Sequence, residues 1–203
     1  MRAVKRLFKS TPKVLRPLVQ KGEVFPNKPI PDHIQLPEYA LSGVVPSAPG
    51  NIVLHGEEKI PKLRKAGRLA RKILEFALSH AMPGVTTNDI DALAFDEIIR
   101  HGAYPSPVNY SKFPKAICTS VNEVVCHGIP DSRPLAEGDI LSIDVSVYLG
   151  GVHGDNCGTV IVGSPENLTS DADEVARRLV QANKDVLDMA IERCVAGACL
   201  SEV

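Results

Sequence analysis

At 203 residues, with 23 basic side chains against 24 acidic ones and a formal net charge of -1, the chain can bury one sizeable core and lacks the broad field that draws proteins to nucleic acid. No apolar run approaches the roughly 18 residues that span a bilayer, and no secretory apolar segment is evident, so neither membrane insertion nor export is expected. The five cysteines, Cys118, Cys126, Cys157, Cys194 and Cys199, are odd in number and contain no Cys-x-x-Cys pair, which points to reduced thiols in an intracellular protein.

The first 25 residues form a basic tail: Arg2, Lys5, Arg6, Lys9, Lys13, Arg16 and Lys21 precede the first acid, Glu23. An acid-free basic start predicts an organellar transit peptide, mitochondrial or plastid, ahead of a solvated tail or a ribosome-contacting arm. Residues 26–56 are proline-rich, with Pro26, Pro29, Pro31, Pro37, Pro46 and Pro49, and are expected to lie extended over the surface as a linker. The main domain is placed at 57–203. There, Ile60, Leu63, Ala66, Ala70, Ile73, Ala77 and Ala81 form a helical stripe closed by Pro83-Gly84. A second helix opens at Thr86-Thr87, with Asn88 and Asp89 in its first turn. It should bury Ile90, Leu93, Ala94 and Ile98 and end at His101-Gly102.

From Gly138 to Tyr148 the period changes to two: Leu141, Ile143, Val145 and Val147 share one face, and Ser142, Asp144 and Ser146 the other. Gly150-Gly151 suits a tight reversal, and the returning strand carries His153, Asp155, Cys157 and Thr159 on one face. A loop at Leu149-Gly150 would set Asp144 opposite Asp155; a loop at Gly150-Gly151 would set it opposite Cys157 with Asp155 as the diagonal neighbour. Either register brings two like charges together, an arrangement that protonation or a divalent cation relieves. Strand aspartates are mostly solvated, so parity alone does not separate ligand from surface residue. A third helix is expected from Val175, Leu179, Ala182, Val186 and Met189. Helices, then strands, then a helix make an α+β unit.

Tyr104-Pro105-Ser106-Pro107, Asn109-Tyr110, Phe113-Pro114-Lys115, Cys118-Thr119-Ser120-Val121-Asn122-Glu123, Cys126-His127-Gly128-Ile129-Pro130-Asp131, Arg133-Pro134, Gly138-Asp139-Ile140, Ile143-Asp144-Val145 and His153-Gly154-Asp155 occur in this order. This ordered set resembles the type I methionine aminopeptidases of the pita-bread metalloaminopeptidase family. The resemblance implies the N-terminal half of that fold, an antiparallel sheet with covering helices. It also implies removal of the initiator methionine from nascent chains by a hydroxide held between two divalent ions, cobalt, manganese, iron or zinc. Asp144 would chelate one ion and Asp155 bridge both, since a divalent cation brings the pKa of bound water to about 7. His127 would contact substrate beside the scissile amide, and Tyr110, Phe113 and Cys118 would receive the methionine side chain. The implied partners are peptides or nascent polypeptides with N-terminal methionine, with the ribosome as a further candidate. The Cys/His-rich zinc module of the cytosolic type I enzymes does not occur here, which favours an organellar or bacterial-like form.

Two departures from the family pattern stand out. Asn156-Cys157-Gly158-Thr159 puts a thiol on the metal face. The family's second half, with a histidine in a His-Gly-Ile-Gly segment and two glutamates, does not follow Val203. Two of five expected ligands are therefore present, and the alternative expectation is an inactive relative that binds peptides or ribosomes.

Overall fold

The computed structural model describes residues 17–47 and 50–203. The basic residues from Arg2 to Arg16 lie outside this set. The alternating segment forms β3 (Ile140–Leu149), the spine of a four-stranded antiparallel sheet. Along one edge it pairs with β4 (Val152–Ile161), and along the other, end to end, with β1 (Tyr104–Pro105) and β2 (Cys118–Val121). Leu149 pairs with Val152, so the loop is Gly150-Gly151. Both glycines have positive φ, 61° and 84°, as the primed turns of tight hairpins require.

Leu141, Ile143, Val145 and Val147 are fully buried. Above them lie α1 (Lys59–Ser79) and α2 (Thr87–Arg100), which contribute Leu69, Ala70, Ile73, Leu74 and Ala77, and Ile90, Ala94 and Ile98. Two residues depart from the helical stripes. Leu93 is 38% exposed and Phe95 takes the buried position, so the core-facing arc of α2 sits further round than expected; Ile60, in the first turn of α1, is also 38% exposed. Thr86 caps α2 through a reciprocal capping box with Asp89, which satisfies two of the donors a helix start leaves open.

The core-facing side of β4 presents Val152, Gly154, Asn156, Gly158 and Val160. Glycines stand there because α1 approaches the backbone: a Cβ on Gly154 would lie 2.2 Å from the carbonyl carbon of Ala66. Asn156 Nδ2 donates to Gly67 O at 3.1 Å, tying the same helix turn to the strand.

Buried Asp91 on α2 anchors the entry to β2. Its Oδ1 accepts from the backbone N–H groups of Ala116 and Ile117 at 2.8 and 3.1 Å, while buried Lys115 lies 3.4 Å from Oδ2 and donates to Asn88 Oδ1.

In the proline-rich segment, Ile34 and Tyr39 are buried against Tyr104, and the Tyr39 hydroxyl donates to Ser106 O at 2.7 Å. α3 (Asp171–Arg193) is anchored at its start by Leu168 and Ala176, both buried. Its Val175, Leu179, Val186 and Met189 remain exposed. No helix among the described residues is long and apolar enough to cross a membrane.

Candidate metal centre

The second face of the sheet is built in rows. Cys118, Asp144 and Cys157 stand side by side across β2, β3 and β4. Ser120, Ser142 and Thr159 form the row on one side, with the two hydroxyls of Ser142 and Thr159 2.8 Å apart. On the other side Ser146 pairs with Asp155 and donates to its Oδ1 at 2.6 Å. Tyr104, Tyr148 and His153 make the outermost row. Of the two registers open from the sequence, the structure takes the one in which Asp155 is diagonal to Asp144.

The two carboxyls interact directly. Burial, the charge of Asp155 and a hydrogen bond with Asp155 push the Asp144 carboxyl up to about 6, while the neighbouring His127 acts in the opposite sense. The same surroundings act on the thiols. Burial and then the Asp144 and Asp155 charges push the Cys118 thiol up to about 12 and raise that of Cys157. Burial lowers the pKa of His153, against the pull of Asp155. The face thus disfavours further negative charge and favours cations.

His127 reaches this face from the loop after β2. Its backbone is left-handed at φ 53°, and the next residue is pressed onto the strand. Thr119 N donates to Gly128 O at 2.8 Å, Gly128 N to Ser120 Oγ at 3.2 Å, and a Cβ on Gly128 would lie 2.1 Å from Thr119 O. The loop can approach β2 this closely only with glycine after the histidine. Its other end is fixed by Asn122, which has φ 52°, accepts from Ile140 N and donates to Asp139.

The structure therefore brings Asp144, Asp155, His127 and Cys118 together. Tyr110, about half exposed, occupies a 3-10 turn (Tyr110–Lys112) and meets Tyr39 edge-on at 5.1 Å; Phe113 is half-buried at the end of that turn. Tyr39 in turn stacks on His153 at 6.3 Å, and His153 Nδ1 lies 2.9 Å from Ser106 Oγ. Tyr39 and His153 are the neighbours that sequence reasoning left out of the site. The shared parity of His153 with Asp155 was a signal for one; the reach of Tyr39 from a proline-rich segment had none.

Asp144, its carboxyl raised by burial and by the adjacent Asp155 charge, forms with Asp155 a set of oxygen donors that a hard divalent cation suits. Among the described residues no three or more His, Cys, Asp and Glu side chains are placed to hold a metal ion by themselves, so the two aspartates fit such an ion as part of a shell.

An antiparallel sheet backed by two helices, with paired aspartates on its open face, agrees with the half of a pita-bread metallopeptidase fold that the resemblance implies. The family model for metallopeptidase family M24 matches residues 61–203. The chain belongs to that family. It is 46% identical over 186 residues to the mouse mitochondrial methionine aminopeptidase 1D, covering 92% of this chain and 53% of that protein. It is 45% identical over 182 residues to the Arabidopsis thaliana chloroplastic/mitochondrial methionine aminopeptidase 1D, covering 90% and 50%. The crystal structure of methionine aminopeptidase from Rickettsia prowazekii superposes with a TM-score of 0.63 at 42% identity, over 70% of this chain and 53% of that one. The enzyme from Thermotoga maritima superposes at 0.64 and 31% identity, over 71% and 55%. The chain spans about half the length of the curated relatives it matches.

Proposed function

We propose that this chain carries the first-half ligands and substrate contacts of a methionine aminopeptidase that removes the initiator methionine from nascent proteins. The observation that carries the reading is the Asp144–Asp155 pair, diagonal on one face with His127 beside it. Relatives sharing 45–46% of residues over 90% or more of this chain are named methionine aminopeptidases. Asp144 and Asp155 would be the residues of this chain that hold two divalent ions, and cobalt, manganese, iron and zinc would all suit such oxygen ligands. A divalent ion bound there supplies Lewis acidity and acidifies water.

The rest of the chemistry falls to side chains. His127 donates a hydrogen bond to the peptide at the scissile amide. Cys118, held as a neutral thiol, joins Tyr110 and Phe113 in a polarisable wall for an unbranched thioether. The mitochondrial and chloroplastic names of the relatives, together with the basic N-terminus, support an organellar site of action on nascent chains.

The test is methionine release from Met-Gly-Met-Met by the gene product, with divalent-ion binding followed by calorimetry. Asp144→Asn and Asp155→Asn should each abolish turnover and weaken ion binding. His127→Ala should retain the ions and lose about 100-fold or more in turnover. Normal ion binding and rate in either aspartate variant would remove that residue from the site.

A further inference from the structure

The loop that carries Tyr110 and Phe113 holds its shape against its own backbone preference. Asn109, Ser111 and Lys112 have φ of 58°, 47° and 67°, left-handed conformations that residues other than glycine adopt at a cost and that persist only where the surroundings impose them. Asn109 N donates to Phe113 O and Phe113 N to Tyr110 O, both at 2.9 Å, which closes the loop on itself and leaves Tyr110 about half exposed.

What holds the loop in place comes from the proline-rich segment. Residues 37–43 turn back on themselves, with Ala40 N donating to Pro37 O at 3.0 Å and Gly43 N to Tyr39 O at 2.8 Å. Three contacts pass from this turn to the loop. Asn109 Nδ2 donates to Ala40 O at 2.8 Å. Gly43, at φ 71°, sits so near that a Cβ there would lie 3.0 Å from Asn109 Oδ1 and 3.1 Å from Lys112 Cγ. The Tyr39 ring meets Tyr110 edge-on at 5.1 Å, a packing that aromatic quadrupoles favour. Ahead of the turn, Asn27 Nδ2 donates to Pro114 O at 2.9 Å.

Tyr39 can support Tyr110 because it is itself held. It is 4% exposed, its hydroxyl donates to Ser106 O, and its ring stacks on His153, whose Nδ1 meets Ser106 Oγ. Ser106 N in turn donates to Ser146 O at 2.9 Å, and Ser146 bonds Asp155. One chain of contacts therefore runs from the carboxylate face through Ser106 and Tyr39 to Tyr110.

We propose that Tyr39 is a positioning residue that sets selectivity for the N-terminal side chain of the substrate, by bracing Tyr110 and its loop as a fixed wall. The inference rests on the aminopeptidase reading and deepens it, assigning the shape of the side-chain pocket to the proline-rich segment. A fixed wall discriminates by length: a side chain too short to reach it leaves a gap that the wall cannot close. A mobile wall follows the ligand and loses that discrimination.

The experiment has two arms. The first is backbone amide NMR relaxation on the full chain. In Tyr39→Leu the order parameters of residues 109–113 should fall from about 0.85 to below about 0.6, while those of α1 hold. The second is kinetics of the gene product on Met-Gly-Met-Met and on its counterpart with N-terminal 2-aminobutyrate, whose side chain is shorter. In Tyr39→Leu, KM for the methionine peptide should rise about fivefold with kcat changed less than about twofold, and the preference for methionine in kcat/KM should fall about fivefold or more. Tyr39→Phe, which keeps the ring edge on Tyr110, should stay within about threefold of the unsubstituted protein. Asn109→Gly suits the left-handed φ and deletes the amide bond to Ala40 O; it should move both arms in the same direction, and it decides the matter if Tyr39→Leu fails to fold. Unchanged order parameters in both variants, a loss confined to kcat, or an unchanged preference would overturn the proposal. A gene product that releases no methionine overturns the aminopeptidase reading instead, and the order parameters then decide the brace.

Discussion

Single residues on the open face are tuned by burial and by each other, and their titration gives the first test. Burial raises Tyr104 to about 12, and burial with the two aspartates raises Cys118 to about 12. Both groups ionise at lower pH in the unfolded chain, near 10 and 8.5. The sign follows: the neutral forms are favoured by folding, so their contribution is complete below the unfolded values and is lost as pH rises toward 12. Stability by urea denaturation should therefore fall between about pH 9 and 12. Tyr104→Phe should flatten that slope while costing about 1 kcal/mol at neutral pH for the 2.7 Å bond to Val108 O. The same reasoning sorts the thiols. Cys126, Cys194 and Cys199 are exposed, Cys157 is exposed but has its pKa raised by burial and the two aspartates, and Cys118 is buried, so iodoacetamide at pH 8 should label the first three readily, Cys157 more slowly, and Cys118 only on unfolding. Early modification of Cys118, read by peptide mass spectrometry, would contradict its assignment as a neutral buried wall.

Elements are held in register by two contacts that local patterns foretold unequally. α1, α2 and β3 were legible because their apolar periods and the Thr86–Asp89 cap are properties of adjacent residues. The core-facing side of β4 was not: it reads Gly154, Asn156 and Gly158, and those small residues become intelligible only once α1 is seen lying on them. Gly154→Ala should thus cost more than the usual 1–3 kcal/mol of overpacking, because its neighbour is the Ala66 backbone; Gly158→Ala should cost less, because it meets only movable Leu74 and Leu78 methyls at 3.2 Å. Equal losses for the two in chemical denaturation would mean that α1 shifts freely over the sheet. The aspartate pair was legible from parity, down to two registers. His127 entered the site only through the motif of the resemblance; local pattern could not show its approach, which depends on a left-handed residue and on Gly128 pressed against Thr119 O. The buried Asp91–Lys115 pair was likewise invisible, being two polar residues 24 positions apart in sequence. Removing one partner leaves a buried charge, so Asp91→Asn or Lys115→Met should each cost about 3–5 kcal/mol, and the double variant less than the sum.

At the scale of the molecule, burial is uneven. The sheet, α1 and α2 share one continuous core, whereas α3 buries Asp173 and Ala176 alone, both near its start, with Leu168 buried just ahead of it and bonded through its O to Arg177 Nη1. Its helical spacing was correctly legible, since Val175, Leu179, Ala182, Val186 and Met189 recur at intervals of four and three. Spacing identifies a helix face without saying what lies against it, and here those side chains face outward, with Val186 66% exposed. What sustains the helix is local: the Ser170–Asp173 capping box and the pairs Arg177–Glu174, Gln181–Asp185 and Lys184–Asp188. Such contacts contribute about 0.2–0.5 kcal/mol each along the helix and about 1 kcal/mol at the cap, far less than a packed face supplies. Hydrogen exchange should consequently show residues 180–193 opening many times faster than α1, with protection rising toward Ala176. The apolar stripe also exposes enough surface to bind a dye or a second molecule. Leu179→Lys with Val186→Lys should lower fluorescence of a bound hydrophobic dye and concentration-dependent light scattering, and change the urea midpoint by about 0.5 kcal/mol or less. A large loss of stability in that double variant would show that the stripe is packed in solution, and α3 would then belong to the core.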